Sequence, residues 1–442
     1  MKLKDDKFVN WQDQALYFVR EKRDIATKTL NEWENLREEA SHIKAHTLSH
    51  LDKYLLEFEK NATQNGFVVH WAEDKDEFNK IIYDILQKNK ASKVVKSKSM
   101  LTEECELNPY LEKRGIEIVD TDLGERIVQL RHEKPSHIVL PAIHLKKEQV
   151  SQTFAKKLNS DPNNHDPKYL TRVAREHLRK KFLNSDATIT GVNFAISESG
   201  AFVVCTNEGN ADMGTSLTNL HIAVMGIEKI IPKVEDLAVF TRVLARSATG
   251  QAITTYTSYY QQPKKDSQVH IVIVDNGRSK ILSSKSFQNS LKCIRCGACM
   301  NTCPIFRRAG GHNYSYTIPG PIGSLLGANR SLKKHGDLVF SSTLCGSCNN
   351  VCPVKIDITN QLLSYRKLYA TSQHLPSSKR YIFKIASKIL QSRFLTDISF
   401  RILKYLPKSI IYSKYNIWTK DREMPQVAKK SFQQLYKEMT NE

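Results

Sequence analysis

Seven of the nine cysteines stand in two runs of fixed spacing. The first is Cys293-x2-Cys296-x2-Cys299-x3-Cys303, followed by Pro304. The second is Cys345-x2-Cys348-x3-Cys352, followed by Pro353. The first run has the spacing with which bacterial ferredoxins bind iron–sulfur clusters. Three thiolates at this spacing wrap three corners of one iron–sulfur cube, while the fourth cysteine points away toward a second cluster. With ligation crossed in this way, one cluster takes Cys293, Cys296, Cys299 and Cys352. The other takes Cys303, Cys345 and Cys348. Both are expected to be 4Fe-4S. Counting back from Cys352, Ser342 holds the place of a first cysteine, so the second cluster lacks a fourth thiolate. Its last corner is open to Ser342, another oxygen or nitrogen ligand, a water or a three-iron vacancy. A structural zinc site also uses Cys-x2-Cys pairs, but four cysteines before a proline with a second set downstream fit it poorly. Cys105 and Cys205 have no Cys or His at ligand spacing and are read as buried small hydrophobes.

Adjacent clusters make a wire for single electrons, and the competing reading is that they only hold the fold. The chain shows no Gly-x-Gly-x-x-Gly after a strand and no Walker-type Gly-Lys-Ser/Thr, so no nucleotide cradle is visible. A wire without a two-electron cofactor of its own favours a subunit over a complete dehydrogenase. Other candidates are less specific. Lys96, Lys98 and Ser99 follow a predicted strand and open a helix, where an anion could bind; a solvated turn is the alternative. Asp122 and Glu125 follow another strand, where α/β folds keep ligands, and helix capping by Asp122 competes. His137, His144 and His221 neighbour apolar strands and are candidate proton acceptors, or hydrogen-bonded core residues. Glu198, flanked by Ser197, Ser199 and Gly200, is the candidate catalytic carboxylate.

These residues need elements to position them. Residues 1–66 read as helical, with apolar residues three or four apart. Residues 67–284 alternate β-branched runs with helical segments, which predicts an α/β domain with a largely parallel sheet. The predicted strands are Phe67–Trp71, Lys93–Val95, Ile116–Val119, His137–Leu140, Leu220–Val224 and Val269–Val274. Residues 285–365 form the ferredoxin-type domain, whose composition predicts a poor apolar core. Within it Ala309–Asn329 is uncharged, with five Gly and two Pro, and reads as a loop.

Residues 366–442 return to amphipathic helix and are basic. The chain of 442 residues carries +20, of which 16 Lys+Arg against 5 Asp+Glu, or +11, falls in Gln361–Glu442. Without an aromatic-basic platform or recognition motif, nucleic acid is not the expected partner. An anionic membrane face or an acidic partner protein suits the tail better. No apolar run reaches the ~18–20 residues of a bilayer span, and the N-terminus lacks a signal-peptide core. The expected location is cytoplasmic, with peripheral contact at the inner membrane face through the tail.

Several segments of the α/β region resemble the LUD (lactate-utilisation) domain: Lys96–Met100, Thr121–Glu125, Pro135–Ile138, Pro141–His144, Gly191–Gly200, His221–Lys229, Arg246–Gly250 and Asp275–Arg278. With the seven cysteines, and Gly310-Gly-His312 and Gly320-Pro-Ile-Gly323 between their halves, residues 60–370 resemble the LutB family. That family's seven-cysteine count is similar. The resemblance implies an iron–sulfur subunit acting with LutA-like and LutC-like proteins to oxidise L-lactate to pyruvate. It also implies a fold like that of sugar-phosphate isomerases and CoA transferases. Ser197-Glu-Ser-Gly200 is similar to a CoA-transferase turn, which makes a Glu198-dependent enzyme one alternative. A scaffold with structural clusters is the other.

Overall fold

β-branched runs buried on both faces build the main sheet of the computed structural model, which describes residues 6–373, 377–405 and 428–440. Ten strands form: β1 Val68–Ala72, β2 Lys93–Lys96, β3 Glu117–Asp120, β4 Ala187–Gly191 and β5 Phe194–Ile196. They continue as β6 Ala201–Thr206, β7 Leu220–Gly226, β8 Ile230–Ile231, β9 Tyr256–Tyr260 and β10 Gln268–Val274. Six of them make a parallel sheet in the order β1-β10-β7-β4-β2-β3. Every residue of β7 is buried, as the central strand of a sheet covered on both faces requires. The register pairs Lys96 with both Asp120 and Ile189. The chain runs outward from β2 to β3 and returns on the other side of β2 as β4. Ligands in open α/β sheets bind outside the strand ends at such a reversal. A smaller sheet, β8-β5-β6-β9, is built on the antiparallel pairing of β5, β6 and β9.

His137–Leu140, expected as a strand, is not one. The His137 ring accepts the N–H groups of Val139 and Leu140 at 3.0 and 3.1 Å and folds the segment onto itself. Short runs such as β4 and β5 contain too few residues to show a period on their own.

The N-terminal segment forms helices Asp6–Lys28, Trp33–Ser49 and Leu51–Gln64. Leu16, Trp33, Leu36, Ala40 and Ile43 join the core that surrounds the cysteines. Leu51, Leu55, Phe58 and Ala62 join the core beneath the smaller sheet. Residues 1–368 are accordingly one compact unit.

The cysteine region corrects two expectations. Its residues contribute Met300, Phe306, Ile318, Ile322, Leu325 and Val339 to the same core, so the region is apolar inside. The uncharged stretch contains a helix, Gly320–Arg330, buried from Gly320 to Ala328. It lacks charge because it is enclosed. Its glycines let neighbours approach, since a Cβ at Gly323 would lie 1.8 Å from the Ile318 carbonyl oxygen.

Residues 369–442 form a second unit with helices Ser377–Gln391, Arg393–Tyr405 and Phe432–Thr440. Phe383, Leu390, Phe394, Phe400 and Ile402 are exposed there. Lys408 and Lys414 of the basic tail lie outside the described residues. Among the described residues, no helix is long and apolar enough to cross a membrane.

Candidate functional site

The two cysteine runs fold as one motif twice. Arg295 and Leu344 adopt left-handed backbone at φ 62° and 57°. Gly297 and Gly346 follow two residues later, both at φ 78°, where glycine meets no Cβ penalty. Each glycine leads into a five-residue helix, Ala298–Thr302 or Ser347–Val351. Cys303 (φ −74°, ψ 118°) and Cys352 (φ −67°, ψ 119°) then leave in extended backbone ahead of a proline. The internal bonds repeat as well, with Met300 N–H on Gly297 O and Asn349 N–H on Gly346 O, both 2.9 Å. In this repeat Ser342 occupies the place of Cys293. Arg295 N–H donates to Cys293 Sγ at 3.4 Å, and Leu344 N–H donates to Ser342 Oγ at 3.1 Å. The second half therefore presents a hydroxyl where the first presents a thiol.

None of the nine cysteines is in a disulfide. The thiols influence one another in two groups. Burial raises Cys296 first, and charge on Cys352 and Cys293 raises it further. Cys299 is likewise raised by burial, then by Cys293 and Cys296. Burial pushes Cys352 up to about 11, with Cys293 adding to it. Separately, burial raises Cys348 to about 12, with Cys303 and Cys345 adding to it. The groups are thus Cys293, Cys296, Cys299 and Cys352, and Cys303, Cys345 and Cys348. Cys348 also acts on Cys299, so the groups meet there. Only Cys345 is exposed, and its thiol is lowered by the Ser347 N–H and the Thr343 side chain.

Thiols packed this way cannot ionise together without cationic metal, and their arrangement suits clusters over a single ion. Among the described residues, no three His, Cys, Asp or Glu side chains gather tightly enough to hold one metal ion. A cluster separates its thiolates, one to each iron. The donor set fits iron–sulfur clusters, which Cys293, Cys296, Cys299 and Cys352 on one side and Cys303, Cys345 and Cys348 on the other would hold. Neighbouring elements hold the loops. Arg37 donates to the Cys352 carbonyl through Nε and Nη2 at 3.1 and 2.8 Å. Ile356 N–H donates to Cys352 Sγ at 3.3 Å. Arg366 donates to the carbonyls of Val339 and Ser342, both at 2.8 Å.

A cavity of about 290 Å³ opens against the first loop. It is lined by Lys98 and Ser99 after β2, Gly191 at the end of β4 and Asn193 beyond it, Glu228 and Lys229 after β7, and Arg278 after β10. Arg295 and Cys296 close it from the cysteine side. The cavity thus sits at the sheet's topological reversal, outside the carboxyl ends of the strands. An ion-pair group forms its floor. Arg278 bonds Glu228 Oε2 at 2.6 Å and Glu104 at 3.1 and 3.2 Å, with all three side chains no more than 8% exposed. Burial opposes ionisation of Glu228, but Arg278 and Arg295 outweigh it and hold the carboxyl at about 2. Gly226 makes room for the pair: a Cβ there would lie 2.1 Å from Glu228 Oε2.

A LUD domain model matches residues 55–281, and a 4Fe-4S dicluster domain model matches residues 289–356. Lactate utilization protein B of Shouchella clausii is 40% identical, covering 93% of this chain and 90% of its own. The Macrococcus caseolyticus protein of that name is 42% identical over 86% and 82%. That of Oceanobacillus iheyensis is 41% identical over 92% and 88%. The chain belongs to the lactate utilization protein B family. It is an iron–sulfur protein of lactate utilisation, with a LUD domain and a 4Fe-4S dicluster domain. A crystal structure of a DUF162 family protein from Deinococcus radiodurans covers 51% of this chain at 13% identity, with a TM-score of 0.29.

In this lactate utilization protein B relative, several residues singled out by sequence do other work. Glu198 is exposed and accepts the Val234 N–H at 2.6 Å, capping helix Val234–Thr249 outside the cavity. Lys96 is fully buried between Asp120 (2.8 Å), Glu103 (3.2 Å) and Glu125 (3.8 Å), so it has no charge left for an anion. Lys98 reaches the cavity but donates to Asp122 and Val139 O, both at 3.0 Å. Asp122 lines the cavity and also caps its helix through Glu125 N–H.

The histidines are structural. Because His137 Nδ1 accepts two N–H groups, its Nε2 donates to Asn301 Oδ1 at 3.1 Å and ties the LUD segment to the cysteine helix. Burial pushes His137 down to about 4 and His221 to about 3, so both are neutral. His144 bonds Ser136 and Glu133. Cys105 is buried, whereas Cys205 is on the cavity wall. The sequence reading misses Arg295, Lys229, Arg278 and Arg37. Arg295 stands between two cluster cysteines, and Lys229 and Arg278 end two of the LUD-like segments, whereas Arg37 had no local signal.

Proposed function

We propose that this chain is the iron–sulfur electron-transfer subunit of a complex that oxidises L-lactate to pyruvate, acting with LutA-like and LutC-like partners. The observation that supports the reading is the cysteine loop folded twice, each ending in an extended cysteine before a proline, with Cys296, Cys299, Cys303, Cys348 and Cys352 buried in one core. Clusters bound there supply one-electron storage. Oxidation of a 2-hydroxy acid to its 2-oxo acid releases two electrons and two protons, and two clusters match that electron count. The protein's part is to keep water from the thiolates and to donate N–H groups to Cys293 and Cys352, which favours the more negative reduced state. The cavity touches Cys296, of the four-cysteine set, and the exposed thiol Cys345 belongs to the other. Electrons therefore enter at the first set and leave at the second. The basic carboxy-terminal unit docks on the anionic cytoplasmic face of the membrane.

Anaerobic purification is expected to return about eight irons and eight acid-labile sulfides per chain. L-lactate with the partners then reduces the clusters, as followed by EPR. Cys293→Ala removes one cluster's signal and Cys303→Ala the other's. Near-stoichiometric zinc without sulfide would overturn the reading. Absence of binding to anionic vesicles at low salt would remove the membrane part alone.

A further inference from the structure

Tyr314 places a hydroxyl in the cysteine core that no described residue satisfies. Its ring belongs to the core that holds Cys299, Cys303, Met300 and Phe306, and the residue is 6% exposed. The hydroxyl oxygen is enclosed and has no hydrogen-bond partner among the described residues. An unpaired buried hydroxyl is costly, and a phenylalanine would fill the same space without that cost. A buried tyrosine ordinarily has an acceptor within reach of its O–H.

The surroundings point to the acceptor. Tyr314 follows the turn at Gly310-Gly-His312, where His312 Nε2 donates to Lys134 O at 2.7 Å and Tyr314 N–H donates to Gly311 O at 3.0 Å. Its ring packs on Phe306, with centroids 5.9 Å apart. Phe306 stands three residues after Cys303. Burial raises the Cys303 thiol, and the N–H groups of Phe306 and Ile305 bonded to it act against that. Burial also raises the Tyr314 phenol, and charge on Cys303 and then on Cys299 raises it further, so the phenol keeps its proton. A buried water as acceptor would need about three polar partners, whereas this core is built from apolar side chains and cysteines.

We infer that the Tyr314 hydroxyl donates a hydrogen bond to a sulfur of the iron–sulfur cluster held at Cys303, and so raises the potential of that cluster. The inference rests on the electron-carrier reading and adds a positioning residue to it. Hydrogen bonds to the sulfurs are one of the levers on cluster potential. A sulfur carrying more negative charge binds an O–H donor more strongly, so the donor favours the reduced state. The proton stays on the phenol oxygen, and no covalent bond forms or breaks. Acting more on the set with Cys303 than on the set with Cys299, the hydroxyl favours passage of an electron from the four-cysteine set to the three-cysteine set.

The test is an EPR-monitored redox titration of full-length, anaerobically purified Tyr314→Phe beside the wild type. Phenylalanine keeps the ring on Phe306 and removes only the donor. The signal of the Cys303 cluster is the one lost in Cys303→Ala. With iron and sulfide unchanged, its reduced-to-oxidised ratio at the wild-type midpoint is expected to fall about three- to tenfold. That is a shift of about −30 to −60 mV, at 59 mV per tenfold for one electron. The other cluster shifts less. Electron–nuclear double resonance in heavy water is expected to show an exchangeable deuteron at this cluster that Tyr314→Phe lacks. Should Tyr314→Phe lose iron, a ring-fluorinated tyrosine at the same position, a stronger donor of nearly the same shape, is expected to raise the potential. Unaltered potentials in either iron-replete protein, or an equal or larger shift at the other cluster, overturn the inference and leave the electron-carrier reading standing. Zinc without sulfide removes that reading itself.

Discussion

Arg278→Met tests whether the cavity floor is held by paired charge. The substitution removes the guanidinium that bonds Glu104 and Glu228 while keeping an apolar side chain in its place. Glu228 is 4% exposed, and its carboxyl falls from the ordinary 4.5 to about 2. A shift of that size is worth about 3 kcal/mol near pH 7, at 1.36 kcal/mol per unit. Breaking a buried pair by removing one partner costs about 3–5 kcal/mol by another route, so about 3 kcal/mol is expected.

The sign with pH follows from linkage. In the wild type the depressed Glu228 stabilises above about 4.5, and that contribution is lost as pH falls toward 2. In the variant the carboxyl is buried without its main partner, and its folded value rises above the unfolded one. Its protonated form then stabilises at low pH, and this is lost as pH rises. The gap between the two proteins must therefore narrow from about pH 7 to about pH 5.

Anaerobic urea unfolding, followed by tryptophan fluorescence, measures this. With a slope of about 3 kcal/mol/M or more for a chain of this size, the midpoint falls by up to about 1 M. Arg278→Lys loses less. Adding Glu228→Gln to Arg278→Met recovers part of the loss, because the unpaired charge is gone. An unchanged midpoint near pH 7, or a gap that widens toward acid, refutes the paired-charge account.

Ser342→Cys is expected to give the three-cysteine cluster a fourth thiolate and lower its reduction potential, with the other cluster unchanged in EPR titration; two unaltered signals would show that Ser342 faces neither. Gly346→Ala is expected to cost about 1–2 kcal/mol from its left-handed backbone alone, since nothing lies within 4 Å of the added Cβ. Gly297→Ala costs more, because its Cβ meets the His137 ring at 3.0 Å; the ratio of cluster retained during purification checks the order. Lys96→Met leaves Asp120, Glu103 and Glu125 without their buried cation and is expected to destabilise by about 3–5 kcal/mol in urea unfolding.

The parts of the protein that sequence reveals are those with short-range rules. β7 and β10 are legible as mainly apolar runs, broken by His221 and His270, because central parallel strands bury both faces. His137–Leu140 has the composition of a strand but is captured by a ring that accepts two local N–H groups. Ala309–Asn329 has the composition of a loop, yet its glycines serve close helix packing. In both, composition reports which residues are present and not which neighbours arrive. Glu198 illustrates the same limit in the site: small neighbours suggest room for a ligand, but the carboxylate caps a helix.

Sequence by itself determines the cysteine chemistry, because thiolates three and four residues apart lie within about one turn of backbone. It likewise determines the alternation of strand and helix that makes the LUD region α/β. Tertiary structure alone decides the rest. The cavity takes its wall from the ends of β2, β4, β7 and β10 and from the first cysteine loop, segments nearly 200 residues apart in Lys98 and Arg295. Whether a lysine is neutralised, as Lys96 is, or makes no ion pair with a described residue, as Lys229 does, depends on which carboxylates the fold brings within a few ångströms. Coulomb attraction and desolvation act through space, and only the folded chain sets those distances.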